Sequence, residues 1–157
     1  MRIVVISDSH GRSDIVEKIL YAQIKAEHVF FLGDCVSDIE DYRYMFPNMN
    51  FHIVAGNCDF YSTYPTTSLD IVAGKKILST HGHTFYVKGG EGPLLENARK
   101  NGYDIVLYGH THVSKVLYAD GIYIVNPGSC SQGRDGRQSY AVIDIEPNGM
   151  LPNIIYL

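Results

Sequence analysis

Ten short apolar runs rich in Val, Ile, Leu and Phe recur along the chain, each bounded by Gly, Asp, Asn or His, and this pattern constrains the fold more than any other feature. The runs cover residues 3–6, 29–32, 51–55, 69–73, 77–79, 105–108, 113–118, 122–125, 140–145 and 154–157. Their length and β-branched content predict strands. Between the early ones the periodicity turns helical. Ser13 is expected to cap a helix with Val16, Ile19, Leu20 and Ile24 on one stripe and Asp14 and Glu17 near its positive end. A second helix is expected over 39–46, stopping before Pro47, and a third from Pro93 through Leu94, Leu95 and Ala98 to Gly102. Ala73-Gly74-Lys75 and Asp120-Gly121 read as tight hairpin turns. The order is β-α-β-α-β early and mostly hairpins late, so the expected core is a sheet structure with helices outside, parallel early and antiparallel late.

The chain has 157 residues, about one domain's worth, and no repeat or linker at which to divide it. A single domain over 1–157 is expected. Apolar residues make up 45%, enough for an ordinary core. The net charge of −4 argues against an extended nucleic-acid surface, where a basic face is needed. No run approaches the roughly 20 apolar residues that span a bilayer, and the N-terminal run reads as a first strand, not a signal peptide. Cys35, Cys58 and Cys130 are too few and too scattered for a disulfide scaffold or a thiolate site, which suits a reducing cytoplasm.

Five runs lead straight into polar clusters: Asp8-Ser9-His10, Gly33-Asp34, Gly56-Asn57-Cys58-Asp59, His81-Gly82-His83 and Gly109-His110-Thr111-His112. In open α/β sheets, ligands bind beyond the carboxyl ends of the strands, so the five clusters should converge. Asp, His and Asn together suit a borderline-hard divalent metal. Their number fits two ions better than one. Gly33, Gly56, Gly82 and Gly109 permit tight turns and close backbone approach beside the ligands. Taken singly, Asp-x-His or Gly-Asp is commonplace in turns. Five such clusters, each after an apolar run, are not.

In this order the motifs resemble those of the calcineurin-like metallophosphoesterases: Asp8-Ser9-His10, Gly33-Asp34, Gly56-Asn57-Cys58-Asp59, His81 and Gly109-His110-Thr111-His112, extended by Asn126-Pro127-Gly128-Ser129. The short length is similar to the single-domain phosphodiesterase branch of bacteria and archaea. The resemblance implies a four-layer α/β/β/α sandwich, with two mixed sheets flanked by helices. It implies one metal on Asp8, His10, Asp34 and His112, and a second on Asp34, Asn57, His81 and His110, bridged by Asp34. Two divalent ions are implied, Mn²⁺ first, with Ni²⁺, Zn²⁺ or Fe also suited to such ligands. The implied reaction is hydrolysis of a small or activated phosphodiester by metal-bound hydroxide, since paired ions bring the pKa of bound water towards about 7. Candidate catalytic residues are Asn57, Cys58, Asp59, His81 and His83.

One position departs from the family pattern. Cys58 stands where many relatives carry a histidine thought to protonate the leaving group, and a thiol of reference pKa about 8.5 is a poorer acid than an imidazolium. His83 is the alternative donor, or a hydrogen-bonding support. His28 and His52 read as structural. Arg134 and Arg137 read as solvated turn residues, with a substrate-phosphate contact as the other option. Phe60, Tyr61 and Tyr64 either rim the cleft or build a subunit contact, which leaves a homodimer or higher homo-oligomer open. The rival functions are a retromer-subunit type of interaction scaffold, and a phosphomonoesterase or nuclease on the same fold.

Overall fold

A computed structural model describes all 157 residues, Met1 to Leu157. Ten strands form two five-stranded sheets. The first contains β1 (Arg2–Ile6), β2 (His28–Phe31), β3 (Asn50–Ile53), β9 (Ser139–Glu146) and β10 (Gly149–Tyr156), in the order β10-β9-β1-β2-β3. The second contains β4 (Thr67–Val72), β5 (Lys75–Thr80), β6 (Ile105–Leu107), β7 (Lys115–Ala119) and β8 (Ile122–Asn126), in the order β4-β5-β6-β8-β7. β1, β2 and β3 pair in parallel, as the early β-α-β-α-β pattern predicts. The later half differs from expectation. β5, β6 and β8 also pair in parallel, and only the outer strands β4 and β7 are hairpin partners in that sheet.

Strand alternation builds three apolar layers. Ile3 and Val5 of β1 face the inter-sheet core with Phe30, Leu32, Ile77, Ile105, Leu107, Val125 and Ile143. Val4 and Ile6, on the opposite face, pack with α1 (Ser13–Ala22) through Ile15, Val16, Ile19 and Leu20. On the far side Leu78, Val106, Ile122 and Ile124 pack against Leu94 and Ala98 of α4 (Gly92–Asn101). Helix, sheet, sheet, helix is therefore the layer order. Each fully buried Leu, Ile or Phe contributes about 1.5–3 kcal/mol. No helix is long and apolar enough to cross a membrane.

Local differences have local reasons. Ser13 is the first residue of α1 and not its cap; Arg12 holds that position, its guanidinium turned to Asp14 at 2.8 Å. Ile24 lies past the helix end and is half exposed. The expected 39–46 helix is two short ones, α2 (Ser37–Glu40) and α3 (Tyr42–Met45), interrupted at Asp41. Phe46 leaves the helical region because Pro47 follows it. α4 has Pro in its first turn and ends at Gly102 with φ +65°, as read from sequence. Both hairpin turns have two successive positive-φ residues, Ala73-Gly74 and Asp120-Gly121, the geometry that matches strand twist.

Candidate metal centre

All five polar clusters follow the carboxyl ends of β1, β2, β3, β5 and β6, and the fold brings them together. Five of the nine non-glycine residues with positive φ are candidate ligands: Asp8 (+56°), His10 (+47°), Asp34 (+61°), His110 (+68°) and His112 (+59°). Such backbone costs about 1 kcal/mol or more per residue and persists only where neighbours hold it. Here close packing does so. A Cβ on Gly33 would collide with the Gly56 backbone, and one on Gly109 would meet the side chains of Ser7 and Asp8.

The first group of donors is Asp8, His10 and His112. The Asp8 carboxylate is wholly buried. Its Oδ2 accepts from the Ser7 hydroxyl (2.6 Å) and the His110 N–H (3.1 Å). Its Oδ1 has no hydrogen-bond partner and lies 3.2 Å from His112 Nε2, close but not aligned for a bond. His112 Nδ1 donates to the Gln132 carbonyl (2.9 Å), so a neutral ring presents its Nε2 lone pair. His10 Nε2 faces that same atom at 3.2 Å. Burial pushes the Asp8 pKa up, yet His112, His81 and the Ser7 hydroxyl outweigh it and leave the carboxyl low. The adjoining Asp8 raises His112 in turn.

The second group is Asn57, His81 and His110. His81 Nδ1 donates to the Leu32 carbonyl (2.7 Å), leaving Nε2 to face Asn57 Oδ1 at 3.1 Å and His110 Nδ1 at 3.2 Å. Burial, with His81 and Lys88 nearby, holds His110 down at about 4, so it is a neutral donor. Asp34 stands between the groups. Its Oδ1 accepts the Cys58 N–H (2.9 Å), while Oδ2 lies 3.7 Å from His10 Nε2 and 3.5 Å from His81 Nε2. Lone pairs thus converge on lone pairs around an orphaned buried carboxylate oxygen. That donor set fits divalent cations.

Further groups support the donors: Asn126 and Ser129 belong to the segment that extends the motif series, whereas Asp38 and Ser131 carry no signal that distinguishes them from ordinary loop residues. Asp38 Oδ2 accepts from the Ser9 hydroxyl (2.6 Å) and the Gly11 N–H (2.8 Å), fixing the loop after β1. Ser129 and Ser131 hydroxyls both donate to the Asp8 carbonyl. Asn126, in the segment that extends the motif series, holds the Gly109 carbonyl and the Thr111 hydroxyl at 3.0 Å each.

The candidate catalytic residues separate. Asn57 and His81 sit among the donors. The Cys58 thiol lies within 4.8 Å of the ligand atoms of His10 and Asp34, and burial, then Asp34, pushes its pKa up to about 11. Asp59 points both oxygens at backbone: Oδ2 accepts from Asp34 and Gly56, Oδ1 from Cys35 and Val36, all within 2.9 Å. His83 lies with its ring 5.4 Å from His81 and 6.2 Å from His110, its Nδ1 buried without a partner. Burial and His81 lower its pKa. Arg137 stacks over Tyr156 at 3.8 Å. His28 and His52 bond to each other at 2.9 Å, remote from the donors, and His52 meets Asp70 at 2.9 Å. The aromatic trio divides: Tyr64 packs against the α1 layer, while Phe60 and Tyr61 are exposed.

This arrangement defines a two-sheet fold with a carboxylate–imidazole donor cluster at its strand ends. The model of the calcineurin-like phosphoesterase superfamily domain matches residues 1–148, and the chain belongs to that superfamily. Among curated proteins it is 30% identical over 149 residues to "Probable metallophosphoesterase YsnB" of Bacillus subtilis, covering 93% of this chain and 85% of that one. It is 28% identical over 168 residues to a phosphodiesterase of Methanocaldococcus jannaschii, covering 93% and 94%. A solved structure of a predicted phosphoesterase from Streptococcus pneumoniae superposes with TM-score 0.84 at 32% identity, covering 99% of this chain and 88% of that one. Zinc-complexed Vps29 of Entamoeba histolytica, at 20% identity and TM-score 0.77 over 99% of both chains, shares the fold.

Proposed function

We propose that the chain is a binuclear metal-dependent phosphodiesterase acting on a small or activated phosphodiester. Asp8, His10, Asp34 and His112 would hold one ion; Asp34, Asn57, His81 and His110 would hold the other. The observation that carries this reading is the position of Asp34 Oδ2, within 4 Å of both His10 Nε2 and His81 Nε2. When bound, two divalent ions supply Lewis acidity for activating water and neutralising the phosphoryl oxygens. Mn²⁺ is the first choice.

The protein's own residues orient and protect. Leu32 and Gln132 carbonyls fix the His81 and His112 tautomers, so their Nε2 lone pairs need no reorganisation. Against its burial, His112, His81 and the Ser7 hydroxyl keep the Asp8 carboxyl low, and the His110 N–H fixes its Oδ2. Asp59, its oxygens taken up by four backbone N–H groups, positions the Asp34 and Asn57 loops instead of touching substrate. Cys58 stands at the leaving-group side as a weak proton donor, with His83 as its rival. A cytoplasmic single-domain enzyme suits three free cysteines.

Metal binding alone does not separate this reading from a scaffold, since Vps29 of Entamoeba histolytica was solved with zinc; hydrolysis does. The nuclease reading lacks a basic groove at net charge −4. The test is metal-free protein reconstituted with Mn²⁺, Ni²⁺, Zn²⁺ or Fe²⁺ and assayed on aryl phosphodiesters and monoesters. Diester hydrolysis well above monoester hydrolysis supports the proposal. Monoester preference, or no hydrolysis with any metal, overturns it.

A further inference from the structure

A groove of about 560 Å³ opens beside the donor cluster, within the range of about 300–1,000 Å³ typical of small-molecule sites. It begins at Cys58, whose thiol lies within 4.8 Å of the ligand atoms of His10 and Asp34, so a phosphoryl group at the metals would lead into it. One wall is the loop bearing Phe60 and Tyr61; the other is Val36, just before α2, with Ser37 and Glu40 at the two ends of α2. Phe60 is 85% exposed and Tyr61 100%, so neither ring serves the core. Tyr64, three residues on, is packed and accepts a hydrogen bond from Arg43 (2.7 Å), which ties the far end of the loop down. The loop therefore presents two aromatic faces from an anchored base.

The chemistry of the walls selects the guest. Exposed aromatic rings stack on flat π-systems. Glu40 lines the groove and is exposed, and a carboxylate accepts N–H groups. No lysine or arginine lines the groove, so it does not track a polynucleotide backbone. A nucleobase combines a stacking face with N–H donors on its edge. Guanine offers adjacent N1–H and N2–H groups to a carboxylate, whereas adenine sets the N1 lone pair against it. We propose that this groove holds the nucleobase of a small nucleotide phosphodiester, Phe60 and Tyr61 stacking on the base and Glu40 favouring guanine. The proposal rests on the phosphodiesterase reading above.

Calorimetric titration of Mn²⁺-loaded protein with GMP, AMP, ribose 5-phosphate and inorganic phosphate tests it without turnover. GMP should bind about ten-fold or more tightly than ribose 5-phosphate, the size expected for base–aromatic stacking. The double variant Phe60→Ala/Tyr61→Ala should bring GMP down to ribose 5-phosphate. Glu40→Gln should remove the preference for GMP over AMP. Inorganic phosphate should bind all three proteins equally. If inorganic phosphate binds but GMP gains nothing over ribose 5-phosphate, or the aromatic variant keeps the gain, the groove proposal falls and the phosphodiesterase reading stands. If not even inorganic phosphate binds, both fall.

Discussion

Asp8 Oδ1 and His112 Nε2 stand 3.2 Å apart in a buried place, and that carboxylate oxygen has no hydrogen-bond partner. Leaving such an oxygen bare costs about 1–3 kcal/mol or more, and a cation between the two atoms removes the cost. Metal that binds only the folded chain adds stability by mass action, about 2.7 kcal/mol at a hundred times Kd. For a chain of this size the shift is about 5–11 °C in Tm. Chelation should lower Tm by that amount and Mn²⁺ should restore it. A Tm indifferent to both would count against the metal centre.

Asp34→Asn removes charge from both donor groups while the Cys58 N–H keeps an oxygen acceptor. The metal-free variant should melt near the metal-free wild type, yet bind metal weakly and lose phosphodiesterase turnover. If most turnover survives with both ions bound, Asp34 is not the bridge.

Asp59→Ala should behave in the opposite way. It strips the acceptor from four backbone N–H groups of the loops after β2 and β3. Hydrogen bonds to a charged group contribute about 1.5–3 kcal/mol each, but water entering the space left by the carboxylate recovers part of this, so a net loss of about 3 kcal/mol is expected. Chemical denaturation of the metal-free protein reads it. A stability equal to wild type would show that the carboxylate fixes nothing.

The five strand-end clusters were legible because a strand delivers whatever follows it to the sheet's carboxyl edge, and that rule needs only local pattern. The groups that tune the ligands were not. Asp38, Ser131 and the Gln132 carbonyl reach Ser9, Asp8 and His112 across the fold, and nothing in their neighbourhood marks them as different from other loop polar groups. β10 was half seen for a related reason. Pro152 and Asn153 break its apolar run, but Pro is tolerated because β10 is an edge strand with one partner, β9. The parallel centre of the second sheet was missed because β7 and β8 read as a simple hairpin, while β8 also pairs with β6.

The leaving group should govern the rate. If the Cys58 thiol is the only donor beside the departing oxygen, activated aryl diesters should be cleaved much faster than alkyl or nucleoside diesters. Cys58→His should narrow that gap, since proton donation contributes about 10²–10⁴-fold, and mainly on poor leaving groups. Should His83→Ala alone slow the poor substrates and Cys58→His change nothing, His83 is the acid.

The His28–His52 pair gives a pH signature away from the metal centre. Burial and the neighbouring His52 hold His28 below its usual 6.5, against the weaker pull of Glu27 and Asp70. The unfolded chain therefore takes up this proton first, so the contribution is present above about pH 6.5 and is lost as pH falls through the lower folded value. His28→Asn should show a shallower fall of Tm between about pH 7 and pH 5 than wild type. Parallel Tm curves would refute the assignment.

The central claim is that two ions, shared through Asp34, make the centre active. Metal-free protein titrated with Mn²⁺ and assayed on bis(p-nitrophenyl) phosphate measures it directly. The account predicts no turnover without metal and a rise that reaches its plateau only at about two equivalents per chain. Full turnover at one equivalent, or turnover by the metal-free protein, would contradict it.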